Sequence, residues 1–464
     1  MDKIERFLLR DDLAVMLYQE VESLPIIDYH NHISPRDIAT ARQYGNLAEI
    51  WVTGDPYKHR AMRICGVAEE YITGNASDYK KYSAWAETLP KTIGNPLFHW
   101  SQLEMFRVFG IQDMLDKDAA KRVWEQSNQL LEQADYSALN VLKRWNIEML
   151  CTSDHWLEDL KVHQSASSVS GISIRPSLRA DAALSFQSTD FMHFLRQLEN
   201  CISSSVSSLE EYEEALLNRL RYFQAQGCIF SDHALDVGFS FELPTAQQAS
   251  SFFQMVLKGK PLTNIQYVQL QSYVLYFLSK QYARMNWTMQ LHVGAYRTTS
   301  TRLRKLAGTA GGYAAIGGTT SIVDLCKFFD ALEQVELLPD IILYNLSPGD
   351  NETFAVLTGS FVEDGKPAKV QFGPAWWYND HLQGIENHLL AIANYSLLSQ
   401  FIGMTTDSRS ILSFSRHEYF RRILCTTVSS WVSNGVLPNK ESYLIELVRA
   451  ISYDNAKRII NDAG

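Results

Sequence analysis

The chain has 464 residues, enough for one large barrel or two domains, with 46% hydrophobic and 20% charged residues, the balance of a folded globular protein. A net charge of −10 provides no general basic footprint, which argues against nucleic acid as the main partner but still allows a local basic pocket for an acidic metabolite. No run approaches the roughly 18 consecutive apolar residues that cross a membrane, and the six cysteines are scattered without a Cys-x-x-Cys pair, as buried free thiols of a reducing compartment would be.

From Met1 the sequence leads into a charged amphipathic helix ending near Glu20, without the apolar core of a signal peptide, so a cytoplasmic protein is expected. The first strand is expected at 24–28, and it runs directly into Asp28-Tyr29-His30-Asn31-His32. Residues i and i+2 of an extended chain point to the same side, so His30 and His32 can aim two imidazoles at one point. That suits a divalent metal; the alternative is a pair of solvated or hydrogen-bonded polar residues at a strand end.

Residues 35–146 follow, helix-rich in pattern (for instance 118–131) and punctuated by Pro90, Gly94-Asn95-Pro96 and Gly110. They read as a helical insertion packed over a barrel mouth. Seven more short apolar runs come next, at 147–151, 171–174, 227–230, 289–291, 340–344, 369–372 and 400–404. Most are separated by enough chain for a helix. The Ser-rich stretch 203–208 reads as a loop before a helix, and the glycine-rich 308–318 lacks the Gly-Lys-Ser/Thr of a phosphate loop and reads as a flexible loop.

What terminates the runs is the independent check. In order they end in His30 and His32; Thr152 and Asp154; Arg175 and Arg179; Asp232 and His233; His292; Asn345; Trp376 and Trp377; and Asp407 and Arg409. Barrel enzymes build their sites at the C-terminal ends of the strands, and a structural protein has no reason to repeat this pattern. The expected fold is α/β, a (β/α)8 TIM-type barrel with a helical insertion after its first strand. Its parts would be 1–34 (N-terminal helix and first strand), 35–146 (insertion) and 147–464 (the remaining barrel).

Several separate motifs, in order, resemble the uronate isomerase family of the amidohydrolase superfamily. They are Asp28-Tyr29-His30-Asn31-His32, Tyr57-Lys58-His59-Arg60-Ala61-Met62-Arg63, Leu291-His292-Val293-Gly294-Ala295 and Asp350-Asn351-Glu352. Then come Val370-Gln371-Phe372-Gly373, Trp376-Trp377-Tyr378-Asn379-Asp380, Thr406-Asp407-Ser408-Arg409-Ser410 and Arg416-His417-Glu418-Tyr419-Phe420-Arg421-Arg422. The resemblance implies aldose–ketose isomerisation of a hexuronate, D-glucuronate to D-fructuronate and D-galacturonate to D-tagaturonate.

Such chemistry moves a proton from C2 to C1 and another between two oxygens of an enediol. It needs a carboxylate base, an electrophile for the oxyanion and a proton-relaying donor. Asp407 is the best carboxylate; the resemblance implies that it faces the metal and shuttles the proton, and a structural aspartate bonded to Arg409 is the alternative. The resemblance also implies His30 and His32 as ligands of one divalent metal, zinc being expected, with Asp407 third and with the metal not strictly required. His292 is either a fourth ligand or a substrate contact. Tyr57 and Arg409 match positions suited to proton relay or enediolate stabilisation, unless Tyr57 is an exposed loop residue. Arg179 can take a carboxylate in a bidentate fork, a surface ion pair being the bland reading. Asp232 and Trp376 are expected to line the sugar site, against helix capping and core packing.

Departures bear on substrate preference: Arg297-Thr298-Thr299-Ser300-Thr301-Arg302 replaces an Asn-rich run, Gly349 an arginine and Asn31 a cysteine. His417-Glu418 lacks the second histidine of a zinc-protease helix. Two rivals stand beside the isomerase: a single-metal amidohydrolase-type hydrolase on the same barrel, and a non-catalytic sugar-binding barrel. The expected partner is a small hexuronate, with no nucleic acid and no membrane; a homo-oligomer stays open.

Overall fold

A computed structural model describes residues 4–187 and 190–463. Seven parallel strands form one curled sheet in chain order: β1 (Ile26–Asn31), β2 (Ile147–His155), β3 (Ser173–Arg179), β4 (Phe230–Leu235), β5 (Thr288–Val293), β6 (Asp340–Asn345) and β7 (Val370–Phe372). Every residue of β1, β5 and β7 is buried. Strands covered on both faces need apolar side chains in near-continuous runs, which is why short unbroken runs marked them in the sequence. Strands β3 and β4 begin two to three residues later than those runs. Gly171 closes the helix Lys161–Ser170 in the left-handed conformation, and Gly227 (φ +84°) follows the helix Leu209–Ala225, so the first apolar residues after each glycine serve as connectors.

The expected eighth strand at 400–404 is not a strand. Gly403 has φ +87°, a backbone conformation outside the extended region, and a Cβ there would lie 2.0 Å from the Ile451 carbonyl oxygen. The segment nevertheless touches both edges of the sheet. On the β7 side the Gln371 side chain accepts from Ile402 N at 3.2 Å and donates to the Gln400 carbonyl at 2.9 Å. On the β1 side Asp407 N donates to the His30 carbonyl and His32 N to the Ser408 carbonyl. Side-chain bonds replace half of a ladder here, and that is why a strand pattern ended without a strand.

The anchor of this segment is Asp28, fully buried on β1. Its carboxylate accepts from Thr405 Oγ1 (2.6 Å), Thr406 N (2.7 Å) and Thr406 Oγ1 (2.7 Å), with Asn31 Nδ2 at 3.2 Å and His417 Nε2 at 3.4 Å. Burial pushes its pKa up, but His417 and the two threonines outweigh that and hold it below the usual carboxylate range. A single charge thus replaces the ladder bonds that the irregular backbone cannot make.

Residues 35–146 carry helices and no strand. Their interior is aromatic: Trp51, Trp85 and Tyr82 are fully or almost fully buried. The expected helix at 118–131 is observed as Ala120–Leu131, and the N-terminal helix as Asp12–Gln19. Ser208 caps the helix Leu209–Ala225, as expected for a Ser-rich loop. The glycine-rich stretch 308–318, however, is tied down. Its strand Ala315–Ile316 pairs with Ala295–Tyr296, and Gly311, Gly312 and Ala314 accept from Arg63 and Arg60. At Gly312 a Cβ would meet the Pro56 carbonyl oxygen at 2.1 Å, so glycine is needed for close approach. Among the described residues no helix is long and apolar enough to cross a membrane.

Candidate active site

One cavity of about 290 Å³ at the C-terminal ends of the strands is lined by all nine residues singled out in the sequence: His30, His32, Tyr57, Arg179, Asp232, His292, Trp376, Asp407 and Arg409. Seven separate segments of the chain supply them, so only the fold could bring them together.

Tyr57 stands on the helix Pro56–Ile64 and not on an exposed loop. Asp55 caps that helix, its Oδ1 accepting from the Tyr57 and Lys58 amides at 2.8 and 3.1 Å, with proline at the first turn. Lys58, only 2% exposed, meets Asp55 at 2.5 Å and Glu104 at 3.7 Å and lies over the Trp51 and Trp85 rings. A buried, paired charge of this kind holds the helix, and with it Tyr57, in one orientation.

Asp407 is the centre of the polar network. Its Oδ1 meets His32 Nε2 at 3.0 Å and His30 Nε2 at 3.3 Å, and its Oδ2 accepts from the Trp376 and Trp377 indoles, both at 2.9 Å. The alternative pairing with Arg409 is not among its hydrogen bonds or ion pairs. Burial opposes its charge, but the two histidines hold its pKa well below the usual range. Its backbone has φ +47°, and that of Trp377, +48°. Two left-handed residues whose side chains meet at a cavity wall are the kind of local strain that functional sites retain.

Asp232 is not a helix cap. It accepts from Ser153 Oγ at 2.8 Å and meets His292 Nδ1 at 2.8 Å. Burial pushes its pKa up, yet His292 and His30 hold it well below the carboxylate range. His292 is lowered by burial, with Asp232 pulling the other way. For His30, burial lowers the pKa, but Asp232 and Asp407 outweigh it and the net shift is upward. Arg179, in the cavity wall, pairs with Asp232 at 3.8 Å and also donates to Ser153 Oγ at 3.0 Å and to His32 Nδ1 at 2.8 Å. Guanidinium only donates, so Nδ1 is the acceptor in this contact.

Two sets of side chains could hold a cation, His30 with His32 and Asp407, and His30 with Asp232 and His292; within each set the ligand atoms lie within 4.8 Å of one another. The fit has a second observation behind it. His30 Nδ1 and His292 Nε2 are buried with no hydrogen-bond partner, a costly condition that a ligand on the set of His30, Asp232 and His292 could relieve. Nitrogen and carboxylate donors in this proportion suit a divalent metal.

Other strand-end residues face elsewhere. His233, next to Asp232, points to the opposite side and meets the Tyr282 hydroxyl at 3.1 Å. Asp154 and Thr152 form a separate buried cluster with His163, and Asn345 donates to the Ser347 carbonyl. Sequence reading did not assign Arg60, Asp181 and Tyr378 to the site; Trp377, read there only as a strand-end residue, and Arg297, read only as a departure, line it as well. Asp181, whose pKa is pushed up to about 7 by burial and then by Asp232, lies past the end of β3 and carried no local signal.

The glucuronate isomerase family model matches residues 1–460. The chain belongs to the glucuronate isomerase family. A uronate isomerase of Caldanaerobacter subterraneus is 42% identical over 457 residues, and one from Haemophilus influenzae 40%, each aligned over 98% of both chains. The crystal structure of a uronate isomerase from Thermotoga maritima superposes with a TM-score of 0.92 at 31% identity, covering 98% of this chain and 99% of that one. A glucuronate isomerase from Caulobacter crescentus shares the fold, with a TM-score of 0.91 at 22% identity over 99% of this chain and 96% of its own. As a member of this family the chain is an enzyme, an isomerase of uronates.

Proposed function

We propose that the chain interconverts D-glucuronate with D-fructuronate, and D-galacturonate with D-tagaturonate, through an enediolate formed in the cavity at the strand ends. The observation that carries this reading is Asp407: a carboxylate kept ionised by two histidines, oriented by two indoles, and sharing one cavity with Tyr57 and Arg409. An ionised, immobilised carboxylate is the base that C2 deprotonation requires, and the same group can return the proton at C1. Tyr57 carries the proton that passes between the two oxygens, and the Arg409 guanidinium faces the charge that develops there. Arg179 and His292, with Asp232 and Trp376, orient the sugar, Arg179 as the donor for its carboxylate or a hydroxyl. A divalent ion, for which we favour zinc, would be held by His30, His32 and Asp407 and when bound would polarise the substrate carbonyl.

In this reading the segment 400–409 takes the place of an eighth strand, so that the sheet is a (β/α)8 barrel. The chain then divides into 1–34, the helical insertion 35–146 and the remainder 147–464, and the insertion exists to bring Tyr57 to the site. Support comes from the bonds of that segment to both β1 and β7 and from the position of Tyr57 in the cavity wall.

The test is proton NMR of D-glucuronate and of D-galacturonate incubated with the protein in D₂O. A ketouronate is expected from each sugar, and the amount of deuterium at C1 reports how far the transferred proton exchanges with solvent. Two unchanged sugars with metal supplied would sink the assignment and bring forward a hydrolase on the same fold.

A further inference from the structure

Arg416 lies 3% exposed at the start of the helix Ser415–Ser433 and lines a smaller cavity together with Tyr57, Asp407 and Arg409. Two rings, nearly perpendicular to each other, lie against its guanidinium: the Trp100 centroid is 4.0 Å away and that of Tyr57 5.1 Å. Its edge is polar. Nη1 donates to the Thr406 carbonyl at 2.8 Å, next in sequence to Asp407, and lies 3.7 Å from Asp380 Oδ2. One side chain therefore touches both the helix segment that carries Tyr57 and the irregular segment that carries Asp407.

We propose that Arg416 is a positioning residue, which sets the Tyr57 hydroxyl against the Asp407 carboxylate through its cation–π contact with the tyrosine ring and its bond to the Thr406 carbonyl. The proposal deepens the reading of Tyr57 and Asp407 as the proton-handling pair and rests on it. Two features argue against a purely structural part. A buried guanidinium whose one ion pair within 4 Å among the described residues is at 3.7 Å, and whose Nε has no partner, is a poor way to stabilise a protein, since an apolar residue of similar size commonly does better. The contacts also use what distinguishes arginine from lysine, a delocalised cation that meets two rings while an N–H at its edge bonds a carbonyl. Asp380, buried with Oδ1 unpartnered, is the counter-charge of this arrangement.

A double-mutant cycle tests the coupling. Steady-state kinetics on D-glucuronate are compared for the wild type, Tyr57→Phe, Arg416→Met and the Arg416→Met/Tyr57→Phe double variant, with near-ultraviolet circular dichroism as the folding check. Each single variant is expected to lower kcat by about 100-fold with KM changed less than about threefold, because the loss is one of alignment in the transition state. The double variant is expected to be no more than about threefold worse than Tyr57→Phe alone, since Arg416 acts through a group already removed. Multiplied losses in the double variant, or Arg416→Met with kcat within about threefold of wild type, would overturn the proposal. Wild-type kcat for Tyr57→Phe overturns the role of Tyr57 itself and this proposal with it. Should Arg416→Met fail to fold, Arg416→Lys decides: it keeps the charge and loses the guanidinium that contacts the ring and the carbonyl at once, so kcat should fall about tenfold at unchanged KM, and an unchanged kcat overturns the proposal.

Discussion

Asp407 shows how much chemistry one residue of this chain concentrates. Its four hydrogen-bond or ion-pair partners use both carboxylate oxygens, and its left-handed backbone turns the side chain back into the cavity. Asparagine tolerates that backbone conformation as aspartate does, so Asp407→Asn tests the carboxylate and not the turn. It is expected to lower kcat by about 10³-fold or more with an unchanged far-ultraviolet spectrum. Histidine chemistry at the same point gives a second expectation. If the enediolate needs Asp407, Tyr57 and Arg409 more than it needs a metal, chelation with a tight-binding chelator should leave activity within roughly tenfold of the loaded enzyme, a difference of about 1.4 kcal/mol. Complete loss on chelation with full recovery on adding zinc would count against that view and favour the metal as an essential part.

At the scale of elements, the segment 400–409 carries the most consequence, since it holds Asp407 and Arg409. It lies between the edges of the sheet without forming a ladder, held by Asp28, Gln371 and Arg416. Gly403 allows it to pass the Ile451 carbonyl. Gly403→Ala adds a Cβ where 2.0 Å separates it from backbone oxygen, at φ +87°, so neither a rotamer change nor a small shift removes the clash. The variant is expected to lose roughly 3 kcal/mol or more in denaturant unfolding and to lose activity with it, because the displaced segment carries Asp407 and Arg409. The same change at Gly110, the left-handed C-cap of the helix Pro96–Phe109, meets nothing within 4 Å and should cost only about 1 kcal/mol with kcat retained.

Across the whole molecule, buried carboxylates divide into two groups with opposite effects on pH stability. Asp28, Asp232 and Asp407 are held low by their partners, so their contribution is present above the unfolded carboxylate pKa and is lost as pH falls through the folded values. Asp380 is pushed up to about 6, by burial first and then by Asp407, against the pull of Arg416. The folded state then binds the proton more tightly than the unfolded chain. Its contribution is complete below about pH 4 and is lost as pH rises to about 6. Asp380→Asn removes that titration. The stability of Asp380→Asn relative to wild type should therefore climb by about 3 kcal/mol between pH 4 and pH 6 and stay level above it, read from urea unfolding at each pH. A difference independent of pH would show that Asp380 is ionised throughout.

The sequence by itself determined what could be read from local pattern. Unbroken apolar runs located seven strands because a sheet buried on both faces requires them, and the alternation of side chains put His30 and His32 on one side of β1. Ordered motifs, from Asp28-Tyr29-His30-Asn31-His32 to Arg416-His417-Glu418, were enough to indicate the family, and nine named residues were enough to mark the cavity. Only the tertiary structure decided matters that depend on through-space contact. It replaced the eighth strand with an irregular segment, because Gly403 passes the Ile451 carbonyl nearly fifty residues away and Asp28 bonds the threonines at 405 and 406. It placed Tyr57 on a capped helix whose lysine meets Glu104, and added Asp181, Arg60 and Arg297 to the cavity. It also brought Arg416 beneath Tyr57, a contact between residues more than three hundred positions apart. Local periodicity reports which way a side chain leaves the backbone, but what it then meets is set by the packing of distant elements, and no window of sequence contains that information.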